Sequence, residues 1–205
     1  MVNVLLLGAT GTAGRALAKR LMNTLDCHVT LFSRHAGEVY AGAHNVTVVS
    51  GDATEAETLA SAVRGQDVVY SAISGDRLPQ IAQNLVTAMT EHQVSRLIFM
   101  GAIGIYNEMP RETGGSQYNL DSEPEQIPNR ESVDIVEASG LNYTILRPGF
   151  LEDGNEDDYF LTRRGEPAKG YVTSLPSVVK LAMDLIYDER LYSRESIGIT
   201  RDMTI

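Results

Sequence analysis

Apolar positions in this chain fall into two alternating kinds of run, and their order predicts the architecture. One kind is short, near-continuous and rich in β-branched residues: Val2 to Leu7, His28 to Phe32, Val46 to Val49, Asp67 to Ile73, Arg96 to Met100 and Tyr143 to Leu146. Runs of that kind indicate strands buried on both faces, as in a parallel sheet. The other kind places apolar residues three or four apart, the spacing of one helix face. Ala13, Leu17, Leu21 and Leu25 make the first such face, Leu59 and Val63 the second, and Leu78, Ile81, Leu85 and Met89 the third. Val133 and Val136 belong to a fourth helix ended by Gly140, and Val178, Leu181, Ala182 and Leu185 to a last one. Thr54 and Glu57 have capping-box spacing ahead of the second helix, which Gly65 ends. Ile197 and Ile199 alternate with polar or small residues like an edge strand. Strands alternating with helices predict an α/β fold: a doubly wound, mostly parallel sheet in a single domain over 1–205, with a short C-terminal substrate-side region from about residue 151.

Two stretches break the pattern. From Tyr106 to Pro128 the periodicity lapses among Pro110, Gly114, Gly115, Pro124 and Pro128, which predicts a long loop after the fifth strand. The other is Gly8-Ala9-Thr10-Gly11-Thr12-Ala13-Gly14, which joins the first strand to the first helix. A glycine cluster in that context forms a phosphate-binding turn. Gly8 permits the sharp turn, Gly11 leaves room for a pyrophosphate against the backbone, and Gly14 lets the helix pack closely.

Composition narrows the function. The 205 residues are 43% hydrophobic and 21% charged, as in an ordinary globular protein. A formal charge of −10, from 17 basic and 27 acidic side chains, disfavours nucleic acid as a partner. One cysteine, Cys27, a first strand that starts at once and the lack of a membrane-spanning apolar run lead us to expect a cytoplasmic protein, monomer or homodimer, with no membrane partner. His28, His35, His44 and His92 lack metal-ligand spacing, so no metal is expected. Glu152, Asp153, Glu156, Asp157 and Asp158 read as a solvated loop.

Taken together, Gly8-Ala9-Thr10-Gly11, Gly51-Asp52-Ala53, Gly140-Leu141-Asn142-Tyr143-Thr144 and Arg147-Pro148-Gly149 resemble the atypical short-chain dehydrogenase/reductase families, meaning the NAD(P)H-binding, NmrA-like group and its small flavin reductase/biliverdin reductase relatives. The resemblance implies a Rossmann-type site with Thr10, Gly11, Thr12 and Ala13 at the pyrophosphate, and Asp52 and Ala53 beside the adenine. It further implies Ala72, Ile73, Ser74 and Gly75 along the ribose and linker, and Pro148, Gly149 and Phe150 near the nicotinamide. At the end of the second strand, where an NAD enzyme usually carries an acid, stand Ser33 and Arg34, which suit a 2′-phosphate and favour NADP(H) over NAD(H).

The usual chemistry of that superfamily is not available to this chain. Gly101 and Ala102 replace the catalytic serine, and none of the three lysines, Lys19, Lys169 and Lys180, lies four residues after a tyrosine. Tyr106 and Tyr118 are the candidate replacement acids, though packing explains both. The reading is therefore an NADPH-dependent oxidoreductase whose small-molecule partner is a planar acceptor, a flavin or quinone. Such a ring takes hydride at its face while solvent supplies the proton. Met100, Gly101, Tyr106 and Phe150 are expected to line the acceptor pocket, with Gly101 leaving space for the ring. The alternative is a non-catalytic NADP(H)-sensing regulator in which dinucleotide orders the 106–128 loop and changes the interface with a protein partner.

Overall fold

The computed structural model describes residues 1–203. Eight strands form one sheet in the order β3-β2-β1-β4-β5-β6-β10-β8, where β1 is Val2–Leu7, β2 Cys27–Ser33, β3 Val46–Ser50, β4 Val68–Ser71, β5 Arg96–Met100, β6 Asn142–Pro148, β8 Phe160–Arg163 and β10 Glu195–Thr200. All neighbours are parallel except β8, which runs antiparallel to β10. A separate parallel pair joins β7 (Phe150–Glu152) to β9 (Val172–Ser174).

Both faces of the sheet's interior are covered, which is why its interior strands read as largely apolar. Leu5 and Leu7 of β1 point into one core with the helices α3 (Ala56–Val63), α4 (Leu78–Glu91) and α5 (Ile127–Glu137). Val4 and Leu6 point into the other with α1 (Thr12–Met22) and α6 (Leu175–Tyr187). Period-two alternation thus divides one strand between two apolar layers. A short α2 (Ala36–Val39) follows β2. The chain builds outward from β1 through β2 to β3, then returns to the other side of β1 at β4. The C-terminal ends of β1 and β4 therefore flank a switch in strand order, where an open α/β sheet forms its crevice.

Several expectations are corrected. α1 ends at Met22 because the Asn23 side-chain amide and backbone N–H turn back onto the last carbonyls, so Leu25 is 94% exposed and not on the core face. The Thr54–Glu57 capping box does not form, because the Thr54 hydroxyl and N–H both donate to Asp52, at 2.8 and 2.9 Å, and α3 begins later. Ile197 and Ile199 lie on an interior strand, since β8 covers the far side of β10. The 106–128 segment is folded into three short 3-10 turns, and α5 begins at Ile127. Within it Asn119 bridges both main-chain groups of Met109, and Gln126 donates to Ile103 O and Tyr118 O.

Among the described residues, no helix is long and apolar enough to cross a membrane, and no group of three or more His, Cys, Asp or Glu is placed to hold a metal ion. The acidic loop is partnered by cations: Asp157 pairs with Lys180, and Glu152 and Asp158 with Arg201.

Candidate functional site

The glycine turn is held in shape by contacts that leave its open side free. Gly8 has φ +77°, and a Cβ there would stand 2.8 Å from Ala72 O, so only glycine passes between β1 and β4. At Gly14 a Cβ would stand 2.1 Å from Gly8 O, which forces glycine where α1 crosses the turn. Gly11 differs: its Cβ would meet only Gly8 O, at 3.4 Å. Two carbonyls of the turn are already engaged, Ala9 O by the Tyr40 hydroxyl and Thr10 O by Arg15 Nε. The first turn of α1 has no side-chain cap and no acidic residue, so its N–H groups and positive helix end remain for an anion.

Two cavities meet at this turn. The smaller, about 450 Å³, runs past Gly8, Thr10 and Gly11 to the end of β2, where Ser33 and Arg34 form its wall. Asp52, Ala53, Ala72, Ile73, Ser74, Gly75 and Arg77 also line it, with Phe32, His35, Gly51, Asp76 and Ile81. The buried Ser33 hydroxyl has no hydrogen-bond partner among the described residues. Asp52 accepts from Thr54 and pairs with Arg77 at 3.0 Å. The Thr54 hydrogen bonds, with the Arg77 charge behind them, hold its carboxyl below the usual range.

The larger cavity, about 750 Å³, begins at Gly11, Thr12 and Ala13, shares Ala72, Ile73 and Ser74 with the first, and passes under the 106–128 segment. Met100, Gly101, Pro148, Gly149 and Phe150 line its floor and side. Tyr118 and Tyr171 complete an aromatic wall with Phe150, at centroid distances of 4.8 Å for Tyr118–Phe150 and 5.6 Å for Tyr118–Tyr171. Sequence reading missed Tyr171, whose carbonyl accepts the Phe150 N–H at 2.8 Å. It also missed Gln126 and Asn129, which α5 and the turn before it bring to the mouth.

One pocket assignment is corrected, and the role of a second residue is revised. Tyr106 does not line the cavity: its hydroxyl bonds Glu137 and Ser196, and the guanidinium groups of Arg130, Arg147 and Arg164 lie 4.6, 4.9 and 4.7 Å from its ring centroid. Burial first, then its bond to Glu137, pushes its phenol up to about 12, so it stays protonated. Gly101 lines the cavity through its backbone, but a Cβ there would point away from it, toward Val133 Cγ2 at 3.2 Å and Ile145 Cγ2 at 3.5 Å. Its smallness serves packing rather than a stacked ring.

These features fit a dinucleotide. The uncapped helix end suits a pyrophosphate, the unpartnered Ser33 hydroxyl beside Arg34 suits a polar substituent on the ribose, and the open side of Gly11 leaves the backbone approachable. The sequence profile of the NAD(P)H-binding family matches residues 8–189. A Rossmann-fold NAD(P)-binding family protein from Shigella flexneri is 35% identical, with a TM-score of 0.84 over 98% of this chain and 94% of that one. A wide-type short-chain dehydrogenase/reductase from Veillonella parvula, in complex with NADP, is 27% identical, with a TM-score of 0.86 over 99% of this chain and 96% of that one. An anaerobilin reductase from Escherichia coli, 20% identical, shares the fold with a TM-score of 0.82 over 98% and 97% of the two chains. No curated protein matches the sequence. The chain belongs to the NAD(P)H-binding family and has its Rossmann fold.

Proposed function

We propose that this protein is an NADPH-dependent reductase that delivers hydride to a planar, conjugated acceptor of the flavin or quinone type. The observation that carries the reading is an aromatic-walled cavity continuous with the dinucleotide groove, in a chain without the serine and Tyr-x-x-x-Lys pair of carbonyl reduction. In this reading the N–H groups at the start of α1 hold the pyrophosphate, and Ser33 and Arg34 hold the 2′-phosphate. Asp52 and Ala53 lie beside the adenine, Ala72 to Gly75 follow the ribose and linker, and Pro148 and Gly149 face the nicotinamide. A bound nicotinamide supplies the hydride, and solvent at the open mouth supplies the proton. The chain's own part is to bind and orient, with Phe150 and Tyr118 stacking the acceptor.

The test is NADPH oxidation followed across a panel of flavins, quinones and simple aldehydes. Turnover on the first two classes and none on aldehydes is expected. Tight NADPH binding with no turnover on any acceptor would refute the enzyme and favour a nucleotide-sensing regulator.

A further inference from the structure

We infer that the acceptor taken by the larger cavity is uncharged: a neutral quinone, or a flavin without its phosphate, rather than a ring carrying carboxylate, sulfonate or phosphate groups. The inference rests on the reductase reading above and narrows its substrate class.

Among the described residues lining this cavity there is no lysine, arginine or histidine, while two carboxylates, Glu123 and Glu125, stand at its mouth. Glu123 is held there, its side chain accepting the Glu125 N–H at the start of the 124–126 turn. Three of the cations nearby are already engaged. Arg147, beneath Gly101, is fully buried against Glu108 and Ser196. Arg130, next to the lining Asn129, pairs with Asp134 at 2.6 Å. Arg201, whose N–H bonds Val172 O beside Tyr171, pairs with Glu152 and Asp158. The anion-favouring feature on the lining itself is the N-terminal end of α1, which the dinucleotide pyrophosphate occupies in this reading.

An anionic substituent entering the cavity would thus lose water without gaining a cationic partner, and would meet two like charges at the entrance and a chain charge of −10. The aromatic wall of Tyr118, Phe150 and Tyr171 binds an uncharged ring without that penalty. The reaction asks for no charge on the acceptor. NADPH gives it a hydride and becomes NADP+, and water gives one proton, leaving a hydroquinone or a dihydroflavin.

Riboflavin and FMN share one ring system and differ by a phosphate, so they isolate the effect. Quenching of flavin fluorescence by protein saturated with NADP+, which fills the pyrophosphate site, reports Kd, and NADPH oxidation reports kcat/KM. We expect riboflavin to be favoured over FMN by about tenfold or more in both, and the gap to narrow at high salt. A neutral naphthoquinone should likewise outrun its sulfonate. Glu123→Gln combined with Glu125→Gln should shrink the preference, and Glu125→Lys should shrink it further. FMN matching riboflavin, a sulfonate matching its neutral quinone, or no quenching by either flavin would overturn the inference. Selective quenching by riboflavin with no turnover would leave the charge selectivity standing and refute the reductase reading instead.

Discussion

Removing Glu108 probes how the segment over the cavity is fastened. Its carboxylate pairs with Arg147, whose guanidinium is fully buried, while Glu108 itself is 4% exposed. The same carboxylate accepts the Tyr106 N–H at 2.9 Å, and Glu108 O accepts the Ala168 N–H, so one residue joins β6, the 106–128 segment and the strand-poor region before β9. Arg147 keeps its hydrogen bonds to Ser196 and its place over the Tyr106 ring when Glu108 is replaced, but no carboxylate bonded to it. Burial already pushes the guanidinium down and Glu108 opposes that, so Glu108→Leu leaves an uncompensated buried charge. Stranding one member of such a pair costs about 3–5 kcal/mol. At about 2–4 °C per kcal/mol for a domain of this size, Tm should fall by roughly 6–20 °C. Urea unfolding followed by far-ultraviolet circular dichroism measures the loss. Adding Arg147→Met to Glu108→Leu should recover much of it, because two apolar side chains replace the pair. A loss under about 1 kcal/mol, or a double variant no more stable than Glu108→Leu alone, would show that the pair is not what fastens the segment.

Gly11→Val should abolish NADPH binding yet unfold cooperatively near the parental midpoint, whereas Gly14→Ala, whose Cβ meets Gly8 O at 2.1 Å, should lower stability by several kcal/mol, by about as much as severe overpacking does; calorimetry and urea unfolding check both. Phe150→Ala should raise the acceptor KM several-fold and leave NADPH affinity intact, since stacking is worth about 0.5–1.5 kcal/mol beyond area burial; unchanged constants on an active acceptor would place the ring elsewhere. Asp52 has its carboxyl held low in the fold, so its charge stabilises the native state above the ordinary carboxylate range, and that contribution is lost as pH falls through the depressed value. The difference in urea midpoint between parent and Asp52→Asn should therefore shrink below about pH 4, and a constant gap would assign the effect to shape rather than charge.

Much of this architecture was legible because the interior strands bury both faces and so carry an unbroken apolar signal, and because Gly8, Gly11 and Gly14 mark the turn by backbone need. The pieces around the acceptor cavity were less so. β7, β8 and β9 are three or four residues long and sit among glycines and carboxylates, too short for periodicity to register. β10 lies inside the sheet only because β8 turns back beside it, a pairing that no local pattern encodes. Tyr106 carries the residue type of a pocket wall, but three guanidinium groups from distant parts of the chain hold it elsewhere. Tyr171 gave no signal at all, since its role depends on how β9 lies against β7.

We propose that the groove running from Ser33 and Arg34 past the glycine turn is a dinucleotide site shaped for NADPH. Calorimetric titration of the parent and of Arg34→Ala with NADPH and NADH tests it most directly. The parent should bind NADPH about tenfold or more tightly than NADH, as a charge-assisted bond worth about 1.5–3 kcal/mol requires, and Arg34→Ala should remove most of that preference. Equal affinities in the parent would contradict the 2′-phosphate assignment, and no binding of either dinucleotide would contradict the groove itself.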